Sequence, residues 1–477
     1  MLSFINNFSN RKAFEWFVVI TIGIMIRPDL LGATSVVRAM AISGSSYANM
    51  IHFFRSSAWN LSCLRSAHCN AVKREIPLFR HSGRIVLAAD GSKQSKEARR
   101  MPGVKKYKQE SETQSKPAMM FGHLWGCVGV LTEVNGGITS TPVSMKLHGG
   151  LKGMETWSAW KDYGFSVASH VVQILNDACE TADRFAEDCV VLLDRYHLTV
   201  PAMKALIAHN SSDKRKSFVY VIIKAKRSAV GYHLPMPKEK SKRGPQKKRG
   251  DKVRLWELFD SDIDKFKEVK LELYGKERTV SCYTIDLLWG KGINTMLRFV
   301  LSKLDSGEKS LFVTNDLTLS AEDVIYLYSL RAKIETGFRA MKQNVGCFSY
   351  HFWSKSMPKL NLYKKKEDPD PINSVTDPED QIKILDTIKA TEMFMLASTV
   401  SMSILHALTI SANEPAIRAM LRYQRTPAKS RPSEDNMMVL MRQLIWTLVD
   451  ENPNSPISAI IRNKQKDLFG RCRQKIG

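Results

Sequence analysis

The sequence predicts an α/β protein: a mixed-sheet core interrupted by a β-rich insertion and flanked by helical regions at both ends. Three observations predict it. Short apolar runs at 84–90 (RIVLAAD), 189–194 (CVVLLD) and 218–224 (FVYVIIK) read as strands buried on both faces, which indicates parallel pairing. Helical periodicity over 166–189 separates the first run from the second. Segments before residue 83 and after residue 384 repeat apolar residues at helical spacing.

Helices are expected at 14–26 and 46–58, with Pro28 and Gly44 as breaks. Strands at 121–132 and 141–147 flank Asn135-Gly136-Gly137 and form a meander with an NGG turn. Residues 269–289 are strand-rich, and 311–314 (LFVT) return to the sheet. Residues 364–381 form a charged, Pro-rich linker, and 384–426 and 435–450 read as Met- and Leu-rich helices. Segment boundaries follow at 1–83, 84–228, 229–304, 305–346 and 347–477.

The 477 residues suffice for two to four domains. A hydrophobic fraction of 44% excludes general disorder. With 71 Lys+Arg against 47 Asp+Glu, the net charge of +24 favours a polyanionic partner, nucleic acid first and anionic membrane second. Eight cysteines occur without a CxxC, which points to buried free thiols in a reducing cytoplasm. The apolar run at 14–26 is interrupted by Glu15, too short to span a bilayer and without a cleavage site after it, so no membrane partner is expected.

Two apolar strands end in aspartates, Asp90 and Asp194. Adjacent and parallel, they bring two carboxylates to one sheet edge about 4.8 Å apart, in the crevice where open α/β sheets bind ligands. Like charges that close need a cation, and Mg²⁺ suits oxygen donors beside a phosphate. Tyr328, Arg331, Glu335 and Lys342 fall within an arc of about 60° on one expected helix, capped by Ser320 and stopped near Gly346. Glu335 is then the natural third ligand of a two-metal site. Each residue also has a plainer reading. Asp90 before Gly91 suits a turn, Asp194 with Arg195 suits an ion pair, and Arg331 with Glu335 suits an exposed i,i+4 pair. Asp316 is a rival carboxylate.

The pattern Tyr328-x2-Arg331-x3-Glu335-x6-Lys342 resembles the Y-R-E-K signature of bacterial insertion-sequence transposases with a DDE triad and a ribonuclease-H-like core. LAAD90GS and VVLLD194RYHLTV resemble that group's two aspartate segments. The resemblance implies a ribonuclease-H-like core in two parts, 84–228 and 305–346, around the insertion 229–304. A DNA-binding domain at 1–83 and a dimerising region at 347–477 are expected with it. It implies cut-and-paste transposition through end nicking, a hairpin and 3′-hydroxyl transfer. Asp90, Asp194 and Glu335 are expected to hold two Mg²⁺ ions, with Mn²⁺ as an alternative. Tyr328, Arg331 and Lys342 are expected on the DNA backbone.

The group's base-stacking Trp before the last core strand is missing from Lys309-Ser310-Leu311-Phe312, so Trp289 or Phe312 is expected to replace it. Arg195, and Lys93, Arg99 and Arg100 in a basic loop at 93–108, are expected as further DNA contacts. Residues 238–252 read as a basic arm that tracks DNA. The implied partners are double-stranded DNA, as inverted-repeat ends and target, and a second copy in a synaptic complex. The implied location is the bacterial cytoplasm, at the nucleoid. Alternatives are a Mg²⁺-dependent nuclease of the same fold without strand transfer, or a catalytically silent DNA-binding repressor.

Overall fold

The computed structural model describes residues 1–109, 118–134, 137–236, 246–361, 369–412, 415–421 and 432–465. Helices α1 (Arg11–Ile26), α2 (Ala33–Ala39), α3 (Gly44–Arg55) and α4 (Leu61–Glu75) come first. The Asn10 side chain accepts from the Ala13 N–H and starts α1. That helix is apolar on nearly every face, and Phe17, Val18, Val19, Ile20 and Ile24 are wholly buried, so it is an internal helix. Pro28 lies just past its end, where a proline cannot continue the helix.

The strands follow: β1 (Arg80–His81), β2 (Arg84–Ser95), β3 (Lys105–Lys108), β4 (Met119–Val134) and β5 (Gly137–Leu147). Next come α5 (His170–Phe185), β6 (Cys189–Leu193), α6 (Val200–Asn210) and β7 (Val219–Lys224). β2, β6 and β7 pair in parallel, while β4 pairs antiparallel with β2 and β5 antiparallel with β4. The spatial order β5-β4-β2-β6-β7 is the arrangement a ribonuclease-H-like core requires: a three-stranded meander followed by two strands parallel to its first.

The 229–304 segment contains β8 (Val230–Tyr232), β9 (Lys252–Arg254), α7 (Leu258–Ser261), β10 (Lys267–Leu273), β11 (Lys276–Trp289) and β12 (Thr295–Leu304). Its strands extend the core sheet, because β13 (Lys309–Thr314) pairs with β12 on one side and β7 on the other. α8 (Ala321–Ser329) and α9 (Lys333–Gln343) follow.

The long α10 (Pro378–Ser411) starts at Asp377, whose side chain accepts from the Glu379 N–H, inside the stretch expected to be linker. It is long and apolar enough to cross a membrane, yet 78% of its apolar window is buried within the protein. α11 (Pro415–Met420) and α12 (Glu434–Glu451) complete the order.

Side chains of β2 alternate between two cores. Val86 and Ala88 join a cluster with Phe14 of α1 and Met393 of α10. Leu87 and Ala89 join a second cluster with Leu175 of α5 and Leu206 of α6. This alternation sends Asp90 toward the first face and Gly91 toward the second.

Candidate active site

Ala89 and Leu193 are directly opposed in the parallel register of β2 and β6, so Asp90 and Asp194 occupy the next level together. Asp194 ends its strand and caps a 3-10 turn, with Oδ1 accepting from the Tyr196 N–H at 3.0 Å. Asp90 departs from the expectation: it is not at a strand end. β2 runs on to Ser95, still paired with β4, and leaves β6 behind at Ala89. The sheet splits at that point, and the split is the crevice. Asp90 Oδ1 accepts from the Gly91 N–H at 2.7 Å. Each aspartate therefore has one oxygen on backbone and presents the other inward.

The expected single helix is two. A 3-10 turn, Leu330–Ala332, separates α8 from α9. Arg331 sits in that turn, and its guanidinium enters the crevice. Nη2 contacts Asp90 Oδ2 and lies 3.8 Å from Asp194 Oδ2, while Nη1 is 2.7 Å from Glu335 Oε1. Arg331 thus pairs with Glu335 as the plainer reading allows, and with both aspartates as well. It is 14% exposed, against 60% for Glu335 at the rim.

Among the described residues, no three His, Cys, Asp or Glu side chains are gathered closely enough to hold an ion. The donor set nevertheless fits a divalent cation. All three groups are carboxylates, they face one positive charge, and Mg²⁺ takes oxygen ligands.

Burial, first, then the charges of Asp194 and Glu335 push Asp90 up to about 6 from 3.8, against the pull of Arg331 and the Gly91 N–H. Protonated Asp90 therefore favours the folded state; that contribution is complete below about pH 4 and lost as pH rises through about 6. Asp90→Asn should make the metal-free protein more stable than wild type at pH 7 by about 1–3 kcal/mol, with the gap closing below about pH 4. Denaturant melts in EDTA across this range measure it, and a variant no more stable at pH 7 would exclude burial as the dominant influence.

One family comparison overlaps part of this site. Residues 168–353 match the family model described as the transposase DDE domain. The matched segment contains Asp194, Tyr328, Arg331, Glu335 and Lys342; Asp90 lies upstream of it. Among solved structures, the chain is similar to the piggyBac transposase in a synaptic complex with hairpin DNA. The identity is 11%, over 96% of this chain and 76% of that one, with a TM-score of 0.34. No curated protein matches the chain.

The other residues expected at the site are placed unevenly. Tyr328 is half-buried on α8, its ring 4.7 Å from Phe312, and burial raises its hydroxyl well above the ordinary range. Phe312 is itself only 6% exposed, which removes it as a stacking platform. Trp289 ends β11 half-buried in a groove with Tyr232, Arg249 and Lys291. Lys342 and Arg195 are exposed.

The 93–108 segment is not simply a loop, since it begins in β2 and ends in β3. Lys93 Nζ donates to the Lys108 carbonyl at 2.9 Å, and Arg100 Nη1 to the Lys355 carbonyl at 2.7 Å. Arg99 is exposed. Lys96, a residue the sequence did not single out, is buried against the Phe348 and Tyr350 carbonyls. Asp316 is tied to Arg84, at the far end of β2 from Asp90, and is no rival. The basic arm at 238–252 is described only from residue 246, and the 135–136 turn and most of the basic tail also lie outside the described residues.

One network escaped the sequence reading. His148 Nε2 bonds Asp177 Oδ2 at 2.7 Å, and His148 Nδ1 bonds His170 Nδ1 at 2.9 Å. Burial alone would raise Asp177, but Lys146 and His148 hold it down at about 2. Gly91 and Gly126 oppose each other across β2 and β4. A β-carbon at Gly91 would strike His170, and one at Gly126 would strike His148. Gly91 is thus no turn residue: it makes room for an imidazole directly beside Asp90. An Asp-Gly pair in sequence carries no sign of that.

Proposed function

We propose that this protein is a DDE transposase that cuts DNA at the ends of an insertion sequence and joins the freed 3′-hydroxyls to target DNA. The observation that carries the reading is that three carboxylates, remote along the chain, all face one guanidinium. Asp90, Asp194 and Glu335 would hold two Mg²⁺ ions, or Mn²⁺. Bound there, such ions activate water or a 3′-hydroxyl and stabilise the leaving oxygen.

The chain's own groups do the positioning. Backbone N–H groups at Gly91 and Tyr196 each fix one oxygen of Asp90 and Asp194, which aims the other inward. Arg331 offers a planar fork suited to a phosphate, and Lys342 offers a point charge farther along α9. Tyr328 closes the buried wall of the site beside Arg331. Two ends must be joined in one event, so the working form is a homodimer on double-stranded DNA, and a hairpin on the transposon end is the intermediate that holds the cut strands.

Incubation of the protein with Mg²⁺, a labelled end fragment and a target plasmid tests this. The expected result is labelled plasmid, the product of strand transfer. Cutting without joining would support a nuclease of the same fold instead, and binding without cutting a silent repressor.

A further inference from the structure

A strip of basic and aromatic side chains begins immediately after Asp194 and has no role in the site described. Arg195, Tyr196, Lys226, Arg227 and Trp256 line one groove between the 3-10 turn after β6 and the insertion. Tyr196 is 47% exposed, unusual for a large ring on a folded surface. Arg195 lies 5.4 Å from the Tyr196 ring centre and Lys226 lies 5.9 Å from it, while Arg227 lies 4.9 Å from the Trp256 ring centre. Among the described residues no carboxylate pairs with Arg195, Lys226 or Arg227, although Lys309 nearby is held by Asp260 at 2.8 Å. Lys226 also lines the neighbouring groove that contains Tyr232 and Trp289, so the strip continues beyond the first groove.

A duplex hides its base faces and offers phosphates and base edges. Aromatic rings beside cations that no carboxylate holds in a salt bridge suit a strand whose bases are free to stack while its phosphates meet the cations. From this geometry we infer that the groove binds an unpaired DNA strand leaving the crevice at Asp194. The inference rests on the DNA-processing reading above. It supplies what that reading lacks, a path for the strand separated from its partner during cleavage.

The test is fluorescence anisotropy in EDTA, with oligo(dT) of about 15 nucleotides and a duplex of equal length as separate probes. Tyr196→Ala should weaken oligo(dT) binding about fivefold or more, and Tyr196→Phe should restore it, because the ring face remains. Lys226→Glu with Arg227→Glu should lower the salt slope on oligo(dT) by about 1.4, at about 0.7 per contact. Duplex affinity should stay within about twofold for the Tyr196 variants, since no base face is exposed there. Equal losses on both probes, or no loss on oligo(dT), would overturn the groove. The strand-transfer assay is run in parallel: an inactive protein that still shows the Tyr196 effect refutes the transposase reading and leaves the groove standing. A protein active in strand transfer whose Tyr196→Ala variant binds oligo(dT) as wild type does refutes the groove alone.

Discussion

Asp194→Ala should reduce Mg²⁺-dependent cleavage of DNA ends on the order of 10³-fold or more, because stabilisation of transition-state charge by a bound metal is worth several kcal/mol. Asp90→Ala and Glu335→Ala should act alike, although they sit on different elements and differ in exposure. End binding, measured by gel shift, should change little, because most of the affinity of such proteins comes from phosphate contacts elsewhere. The pattern matters more than any one loss. Three residues 104 and 141 positions apart in sequence share a phenotype only if they share a site. Full cleavage by any one of the three would reject the triad, and a parallel loss of binding would indicate damage to the fold.

The second large effect concerns stability. Glu392 lies in the middle of α10, and Oε2 is 2.7 Å from Arg65 Nη2 of α4 while Oε1 accepts from the Leu147 N–H of β5 at 3.0 Å. Both side chains are almost sealed, at 7% and 4% exposure. This carboxylate therefore ties an N-terminal helix, the sheet and the long C-terminal helix together at one point. Glu392→Ala leaves the Arg65 charge and a backbone N–H buried without partners, which should cost about 3–5 kcal/mol in denaturant melts. Glu392→Gln retains an acceptor for Leu147 and should lose less. If the alanine variant does not fold, the glutamine variant still reports. A loss under about 1 kcal/mol in both would mean that solvent reaches the pair.

The core strands were legible because burial on both faces leaves uninterrupted apolar runs: 189–194 and 218–224 correspond to β6 and β7 within a residue. The far half of β2 was not. Gly91 to Ser95 is polar because it pairs on one side only, at the split, so the apolar run stops at Asp90. The break between α8 and α9 was also invisible. Leu330, Arg331 and Ala332 are good helix formers, and the turn they adopt coincides with the entry of Arg331 between the aspartates. Spacing along the chain pointed to Arg331 and Glu335 as neighbours, but that both aspartates would share the arginine depends on how the sheet splits. The histidine network was hidden for a related reason, since His148 and Asp177 are brought together by packing of α5 on the sheet.

Arg331 has a single planar head, and here that head is spent on its own protein. It cannot hold Asp90 and grip a phosphate with the same nitrogen. Whatever else neutralises the aspartates sets the arginine loose, and whatever captures the arginine leaves the aspartates in want of a positive partner. Occupancy of the acidic pair and capture of a phosphate are therefore reciprocal, each tightening the other by the same factor.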